Sequence, residues 1–256
     1  MKLIQSRENP FYKGLKRLAE SGRERRKTGR TLLDGVHLVE AYEAVHGRVE
    51  TLIVAEAALA AGGEIATYVE GRDIIVLADV LLRDLGLVDT PSGLLAVAAM
   101  PVAKAPVNLE QDAVLLDGIQ DPGNVGTLLR TAAAAGVKQV LLAPGCASAW
   151  SPKVLRAGQG AHFVLAIHED ADLATFMADY AGTTAVTCLD GSTSLYEAQW
   201  RGPLAWVFGA EGQGVRAELI AAARLKVRIP MPGAVESLNV AAAAAVCLFE
   251  ALRRRL

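Results

Sequence analysis

Cysteine and long apolar runs are scarce in this chain of 256 residues. The three cysteines lie far apart and form no metal-like pair, which excludes a disulfide scaffold or a paired-cysteine zinc site and is typical of a reducing compartment. The longest apolar run, residues 240–249, falls well short of the roughly 20 residues that a membrane-spanning helix needs. The N-terminus lacks the apolar core of an export signal. We therefore expect a cytoplasmic protein with no membrane partner and no bound metal.

Apolar residues, by contrast, are plentiful and make up 52% of the chain. This fraction excludes a globally disordered chain, because disorder requires that few residues can be buried. The length corresponds to one large domain or two ordinary ones. The sequence therefore encodes a globular protein with a sizeable core.

Charge is distributed unevenly, although the net charge is only −2. The first 30 residues carry ten Lys and Arg against three Glu, a net charge of +7, and the remaining residues carry 16 cations and 25 anions, a net charge of −9. A basic segment on an acidic body is typical of phosphate binding, and it favours a nucleic-acid partner over the alternative of a solvated helix face. The cations expected to contact phosphate are Arg23, Arg25, Arg26 and Lys27.

The two halves of the chain differ in their patterns. Residues 1–105 contain the basic helical start followed by short apolar runs, and the stretch 103–106 is interpreted as a linker. From residue 108 to 256, short apolar runs alternate with helix-like stretches, which predicts an α/β fold with a mostly parallel sheet covered on both faces. The strands predicted in this half are 113–116, 139–142, 163–167, 183–187, 204–208 and 225–229, and the helices are 125–135, 170–180, 215–223 and 238–255.

Three predicted strand ends carry unusual residues, and ligand sites in such sheets lie at the carboxyl ends of strands. After 113–116, Asp121 and Pro122 are typical of a helix start, but capping explains neither Asn124 nor Arg130. After 204–208 comes a glycine-rich loop that contains Glu211. This loop lacks both the lysine of a phosphate-binding Walker loop and the glycine spacing of a dinucleotide fingerprint, and a tight turn with a solvated glutamate is the alternative.

The third strand end, after 225–229, is a loop with two prolines and a glycine. Ser237 can cap the helix that follows, and this cap alone is the default explanation for it. Asn239, in the first turn of an alanine-rich helix, fits that explanation less well. The four histidines lie away from all three loops, so no Ser/His/Asp arrangement is evident.

In this order, the three loops resemble the signature motifs of the SpoU (TrmH-like) RNA 2′-O-ribose methyltransferases of the SPOUT superfamily. The resemblance spans residues 108–256 and includes D-P-x-N-x-G-x-x-x-R-x-A, G-x-E-x-x-G and I-P-M-x-G-x-x-x-S-L-N-V. Stretches 6–10 and 33–40 are similar to the family's small substrate-binding domain, which is related to a large-subunit ribosomal protein.

This resemblance implies two domains, 1–105 for binding the RNA substrate and 108–256 for methyl transfer, the second with a C-terminal trefoil knot. It further implies S-adenosylmethionine as the cofactor and a homodimer as the working form. The residues implied to line the cofactor pocket are Phe208, Gly209, Ile229, Met231 and Leu238. Those implied to form the reaction centre are Asn124, Arg130, Glu211, Ser237 and Asn239.

The implied activity is 2′-O-methylation of a ribose in large-subunit (23S) ribosomal RNA. Transfer RNA is the alternative substrate, and a catalytically silent RNA-binding protein on the same scaffold is the alternative class. A generic nucleotide-binding Rossmann protein is disfavoured by the missing glycine fingerprint. Arginine stays protonated at neutral pH, so Arg130 is expected to stabilise an alkoxide or hold a phosphate, while Glu211 pairs with an arginine or accepts a proton. The stretch 158–162 departs from the family's Ser-x-Gly-Ala and leaves the target nucleotide open.

Overall fold

The computed structural model describes residues 2–88, 90–101, 106–188, 191–234 and 237–256. Contacts divide the chain into two compact units. Unit 1 contains the described residues of 1–102 together with Trp150–Phe163, and unit 2 contains the described residues of 103–149 together with Val164–Leu256. Most of the linker predicted at 103–106 lies outside the described residues.

Unit 1 is a mixed sheet covered by helices. Its strands are β1 (Lys2–Ile4), β2 (Arg30–Asp34), β3 (Thr51–Ala55), β4 (Ile74–Leu77) and β5 (Leu94–Ala99). The first six helices are α1 (Pro10–Glu20), α2 (Gly22–Thr28), α3 (Val36–His46), α4 (Glu56–Ala61), α5 (Gly63–Val69) and α6 (Asp79–Asp84). The sheet order is β1-β4-β3-β5-β2, in which β5 runs antiparallel to both neighbours and the other pairs are parallel.

The basic start of the chain forms α1 and α2, and ion pairs compensate much of its charge. The pairs are Arg7–Asp84, Lys13–Glu8, Lys16–Glu20, Arg17–Glu24 and Arg30–Glu50. Arg25, which was expected to contact phosphate, is 4% exposed and donates from Nη1 to the carbonyl oxygen of Leu18 at 2.8 Å. That expectation is wrong for Arg25, because its guanidinium satisfies helix-end carbonyls. Arg23, Arg26 and Lys27 are exposed on α2.

Unit 2 is a seven-stranded parallel sheet with helices. Its strands are β6 (Ala113–Asp117), β7 (Gln139–Leu142), β8 (Ala166–His168), β9 (Thr183–Thr187), β10 (Thr193–Ser194), β11 (Leu204–Gly209) and β12 (Leu225–Arg228). Its helices are α7 (Pro122–Ala134), α9 (Leu173–Asp179), α10 (Ala217–Ala222) and α11 (Val240–Arg253). The order is β10-β12-β9-β11-β6-β7-β8 with every described pair parallel, which confirms the predicted sheet. The trefoil knot stays a prediction.

Residues between β7 and β8 differ from their prediction. The strand expected at 163–167 begins only at Ala166, because Ala161–Phe163 forms a short 3-10 helix. Before it lies α8 (Pro152–Gly158), which was not predicted and belongs to unit 1. There Arg156 Nη1 donates at 3.0 Å to Asp34, whose side chain is 1% exposed. A buried carboxylate needs such a cation, so this ion pair fixes α8 against the end of β2.

Within the described ranges, no helix is long and apolar enough to cross a bilayer. In the same ranges, no group of three or more His, Cys, Asp and Glu side chains could hold a metal ion.

The C-terminal end of α11 is anchored by Arg254. Its guanidinium donates to the carbonyl oxygens of Leu195 at 2.7 Å and Ala198 at 2.5 Å, and it lies 4.2 Å from the ring centre of Trp200. Glu250 accepts hydrogen bonds from both Arg253 and Arg254, which together lower the pKa of its carboxyl to about 2. The last turn of α11 is thereby tied to the segment that follows β10.

We expect Arg254→Ala to lower the free energy of unfolding by about 2 kcal/mol, because two buried carbonyl oxygens lose a charged donor. Arg253→Ala is the matched control. The Arg253 side chain is 70% exposed and bonds only to Glu250 among the described residues, so its loss has little effect. Urea unfolding of both variants measures the difference. Equal stabilities for the two variants would contradict the anchoring role.

Candidate active site at the carboxyl edge of the parallel sheet

A cleft of about 630 Å³ opens in unit 2 where β9, β11 and β12 end and α11 begins. Pockets for small molecules and cofactors have volumes of roughly this size. The cleft is lined by all five residues predicted to bind a cofactor: Phe208, Gly209, Ile229, Met231 and Leu238. Ser237 and Asn239, predicted for the reaction centre, line it as well.

The glycine-rich loop forms one wall of the cleft and turns back on the strand that leads into it. Gly214 N donates to the carbonyl oxygen of Ala210 at 2.8 Å, which closes the loop. A Cβ on Gly209 would lie 2.1 Å from the carbonyl carbon of Gly214 and 2.2 Å from the nitrogen of Val215. No side chain fits there, so the position requires glycine for close backbone approach.

Asp117, at the end of β6, holds the C-terminal end of the same loop through Arg216. Its side chain is 5% exposed and accepts from Arg216 twice, from the backbone nitrogen at 2.9 Å and from Nε at 2.8 Å. Asp117 also lies opposite Gly209 in the sheet register. No role for Asp117 or Arg216 was predicted from the sequence. The one available sign was an acidic residue at the end of an apolar run, and its partner lies 99 residues away in the chain.

Three polar side chains that follow separate strands of the sheet form one hydrogen-bonded cluster. Asn124 Nδ2 donates to Glu211 Oε1 at 2.7 Å, and Asn239 Nδ2 donates to the same oxygen at 2.8 Å. Asn239 Nδ2 also lies 3.0 Å from Asn124 Oδ1. Among the described residues none donates to Glu211 Oε2. The cluster therefore presents one carboxylate oxygen that remains able to accept a proton or a hydrogen bond.

Helix capping orients two members of this cluster. Asp121 caps α7 as predicted, since its side chain accepts from Asn124 N at 2.8 Å. The cap predicted for Ser237 is wrong: α11 begins at Val240, so Asn239 is the N-cap and its Oδ1 accepts from Ala241 N at 2.9 Å. With its oxygen held by the helix, the amide nitrogen of Asn239 points to Glu211.

Arg130 is the one predicted reaction-centre residue that this chain does not bring to the cleft or the cluster. It is exposed on α7 and is not part of the cleft wall. It lies six residues after Asn124, which places it about 120° away around the helix and about 9 Å further along the axis. Its predicted role stays a prediction.

Comparison with known proteins agrees with this geometry. The model of the SpoU rRNA Methylase family matches residues 112–249, which is more than half of the chain and contains the whole cleft. The chain belongs to the SpoU rRNA methylase family. The MRM3-like substrate binding domain matches residues 9–96, within unit 1. The resemblance inferred from the three loops is thereby confirmed.

Relatives of this SpoU protein match it over almost its full length. The 23S rRNA (guanosine(2553)-2′-O)-methyltransferase RlmP of Bacillus subtilis is 33% identical over 97% of this chain and 98% of its own. A crystal structure of an RNA 2′-O ribose methyltransferase superposes with a TM-score of 0.84 and 31% identity over 99% of both chains. The SpoU methyltransferase AviRb of Streptomyces viridochromogenes, in complex with AdoMet, has a TM-score of 0.83 and 25% identity over 97% of this chain and 98% of its own.

Proposed function

We propose that this protein transfers a methyl group from S-adenosylmethionine to a ribose 2′-hydroxyl of large-subunit ribosomal RNA. The observation that carries the proposal is the cluster of Asn124, Glu211 and Asn239, which joins three family motifs beside the cleft. The full-length relatives are named for this reaction. The three cysteines lie far apart in the sequence and form no paired motif, which supports a cytoplasmic location.

The residues of the cleft fit S-adenosylmethionine. Apolar side chains, among them Phe208, Met231 and Leu238, suit the adenine ring, and the glycine-rich loop offers backbone groups to its polar edge. Glu211 supplies a carboxylate in the same wall, which complements a sulfonium. When bound, the cofactor provides an activated methyl group together with its own leaving group.

The task left to the protein is to align the hydroxyl and to assist the loss of its proton. Glu211 Oε1 is fixed by two amide donors, so the carboxylate holds one orientation. Its Oε2 and the exposed hydroxyl of Ser237 remain available to bind the ribose. We assign Glu211 and both asparagines to positioning of the nucleotide.

The direct test is methyl transfer to an unmodified 23S ribosomal RNA transcript, with a transfer RNA transcript as the alternative substrate. We expect isotope label from the methyl group of S-adenosylmethionine to enter the ribosomal RNA. The transferred methyl group should protect one phosphodiester bond from alkali, because alkaline cleavage needs a free 2′-hydroxyl. Cofactor binding without transfer to either RNA would favour the catalytically silent alternative. Transfer confined to transfer RNA would replace the proposed substrate.

Unit 1 is proposed to bind the RNA substrate, with the domain boundaries at 1–105 and 108–256. We expect combined replacement of Arg23, Arg26 and Lys27 by Gln to weaken RNA binding. The plot of log affinity against log salt should become shallower by about 2, because each phosphate contact to single-stranded RNA contributes roughly 0.7. Titrations at several salt concentrations measure this, with Arg48→Gln, another exposed arginine of unit 1, as the control. An unchanged slope would assign the three cations to a solvated helix face.

The proposal includes a homodimer, in which Arg130 of one copy serves the cleft of the other. Two observations support it: Arg130 is exposed on α7, and the neighbouring α11 carries Phe249 with 47% of its surface exposed. Mixed dimers test the idea. Arg130→Ala and Glu211→Ala chains, each strongly impaired alone, should regain activity when co-folded, because one cleft then has both residues. If the mixed dimers do not regain activity, Arg130 does not act in the cleft of the other copy, and the proposal is contradicted.

A further inference from the structure

Tyr196 differs from the other tyrosines because it has no partner among the residues that the structure describes. Tyr12, Tyr42 and Tyr180 are buried, and the hydroxyl of Tyr68 donates to Glu43. Tyr196 is 56% exposed, and among the described residues it has no hydrogen bond or ring contact. Its aromatic face is therefore free to receive a ligand.

The turn that carries Tyr196 is held rigidly. The backbone nitrogens of Glu197 and Ala198 both donate to the carbonyl oxygen of Ser194, at 3.0 and 2.9 Å. On either side of Tyr196, Leu195 and Ala198 are buried, and Arg254 binds the carbonyl oxygens of both. An exposed aromatic ring on a fixed backbone needs little further ordering when it binds, which is the property of a preorganised contact.

The position of Tyr196 places it beside the cleft without making it part of the cleft wall. Ser194 lies opposite Arg228 in the parallel pairing of β10 with β12. The nitrogen of the next residue, Leu195, donates to the carbonyl oxygen of Arg228 at 2.8 Å, and Arg228 lines the cleft. Tyr196 follows directly but does not line the cleft, so its ligand is a group outside the cofactor space.

We propose that Tyr196 stacks on an unpaired base of the RNA substrate close to the methylated nucleotide. This inference rests on the proposed function. Sequence-specific RNA recognition uses splayed bases stacked on aromatic side chains, and stacking tolerates any base. Arg228 is exposed, pairs in register with Ser194 two residues before Tyr196, and donates from Nη1 to the carbonyl oxygen of Ser192. Arg201 is exposed five residues after Tyr196, and exposed cations on both sides of the ring in the fold or the chain suit the adjoining phosphates. Tyr196 is thus a substrate-positioning residue.

The test compares Tyr196→Ala with Tyr196→Phe on an unmodified 23S ribosomal RNA transcript. We expect the alanine variant to weaken RNA binding, and to raise the RNA KM, by about tenfold, because one stacked base is lost. The phenylalanine variant keeps the aromatic face, so its RNA affinity and RNA KM stay within about twofold of the wild-type values. The matched control is Gln199→Ala, an exposed side chain on the same segment. Affinity for S-adenosylmethionine stays unchanged in all three variants.

Three results would overturn the stacking role: RNA affinity of the alanine variant equal to that of the unmodified protein, equal losses for alanine and phenylalanine, or a changed oligomeric state of the alanine variant by light scattering. The last would assign Tyr196 to contact with a second copy. RNA affinity is measured separately from methyl transfer. A protein that binds RNA through Tyr196 but transfers no methyl group would contradict the proposed activity and leave stacking supported.

Discussion

Replacing Glu211 by Ala is expected to lower the rate of methyl transfer by about a hundredfold. The carboxylate is the common acceptor of Asn124 and Asn239, which lie 87 and 28 residues away in the chain. Without it, two amide groups from different loops lose the partner that aligns them, and a misplacement of about 1 Å is sufficient for such a loss. Single-turnover transfer at saturating RNA and cofactor measures the effect on the chemical step.

The sequence left two roles open for Glu211, pairing with an arginine or accepting a proton. Among the described residues its partners are Asn124 and Asn239 and no arginine, so Glu211→Gln now separates positioning of these amides from proton acceptance. A glutamine keeps one carbonyl oxygen that accepts from both asparagines but cannot take up a proton. Because we assign Glu211 to positioning, we expect the glutamine variant to keep at least about a tenth of the rate. A glutamine variant as slow as the alanine variant would identify Glu211 as the proton acceptor instead. Glu110→Gln, an exposed glutamate in unit 2, is the control for loss of a negative charge.

Gly209→Ala is expected to lower the rate of methyl transfer by about a hundredfold as well, because the cofactor cleft loses its shape. The added Cβ would overlap backbone atoms of Gly214 and Val215, which cannot rotate away as a side chain would. The loop that carries Glu211 must then move off the end of β11. We expect weaker S-adenosylmethionine binding by calorimetry together with the slower transfer.

Gly182→Ala is the matched control for this substitution. A Cβ there would lie 2.2 Å from the carbonyl oxygen of Pro203, a comparable overlap at the start of β9 and outside the cleft wall. Both variants are expected to lose stability, by about 1–3 kcal/mol. Only Gly209→Ala should lose cofactor affinity in the folded protein. Equal losses of affinity would mean that general destabilisation, and not the shape of the cleft, explains the result.

Most strands of the parallel sheet were predictable from sequence for a physical reason. Strands buried on both faces are continuous apolar runs, and β7 and β9 have the bounds that such runs predicted. The loops after β6, β11 and β12 stood out because they carry polar residues that capping and turns were expected to explain less well. Asn124, Glu211 and Asn239 were assigned in this way, and the geometry brings them into one cluster, although Asn239 is also the N-cap of α11.

Other features depend on contacts between distant parts of the chain. The two-residue strand β10 is too short for a periodic signal, and α8 packs in unit 1 although its neighbours in the chain belong to unit 2. No pattern in the local sequence predicts the ion pair of Asp117 with Arg216 or the burial of Arg25. A count of charges in the sequence includes Arg25 among the cations available to phosphate. Its hydrogen bonds to carbonyl oxygens at a helix end remove it from that role.

The central claim is that three separate loops of this chain form a single site in which a sulfonium methyl meets a ribose hydroxyl. A crystal structure of the protein soaked with S-adenosylmethionine tests it most directly. The account predicts cofactor density in the cleft between the glycine-rich loop and Leu238, with the methyl group directed at the cluster of Asn124, Glu211 and Asn239. Cofactor bound elsewhere, or a methyl group directed away from that cluster, would contradict it.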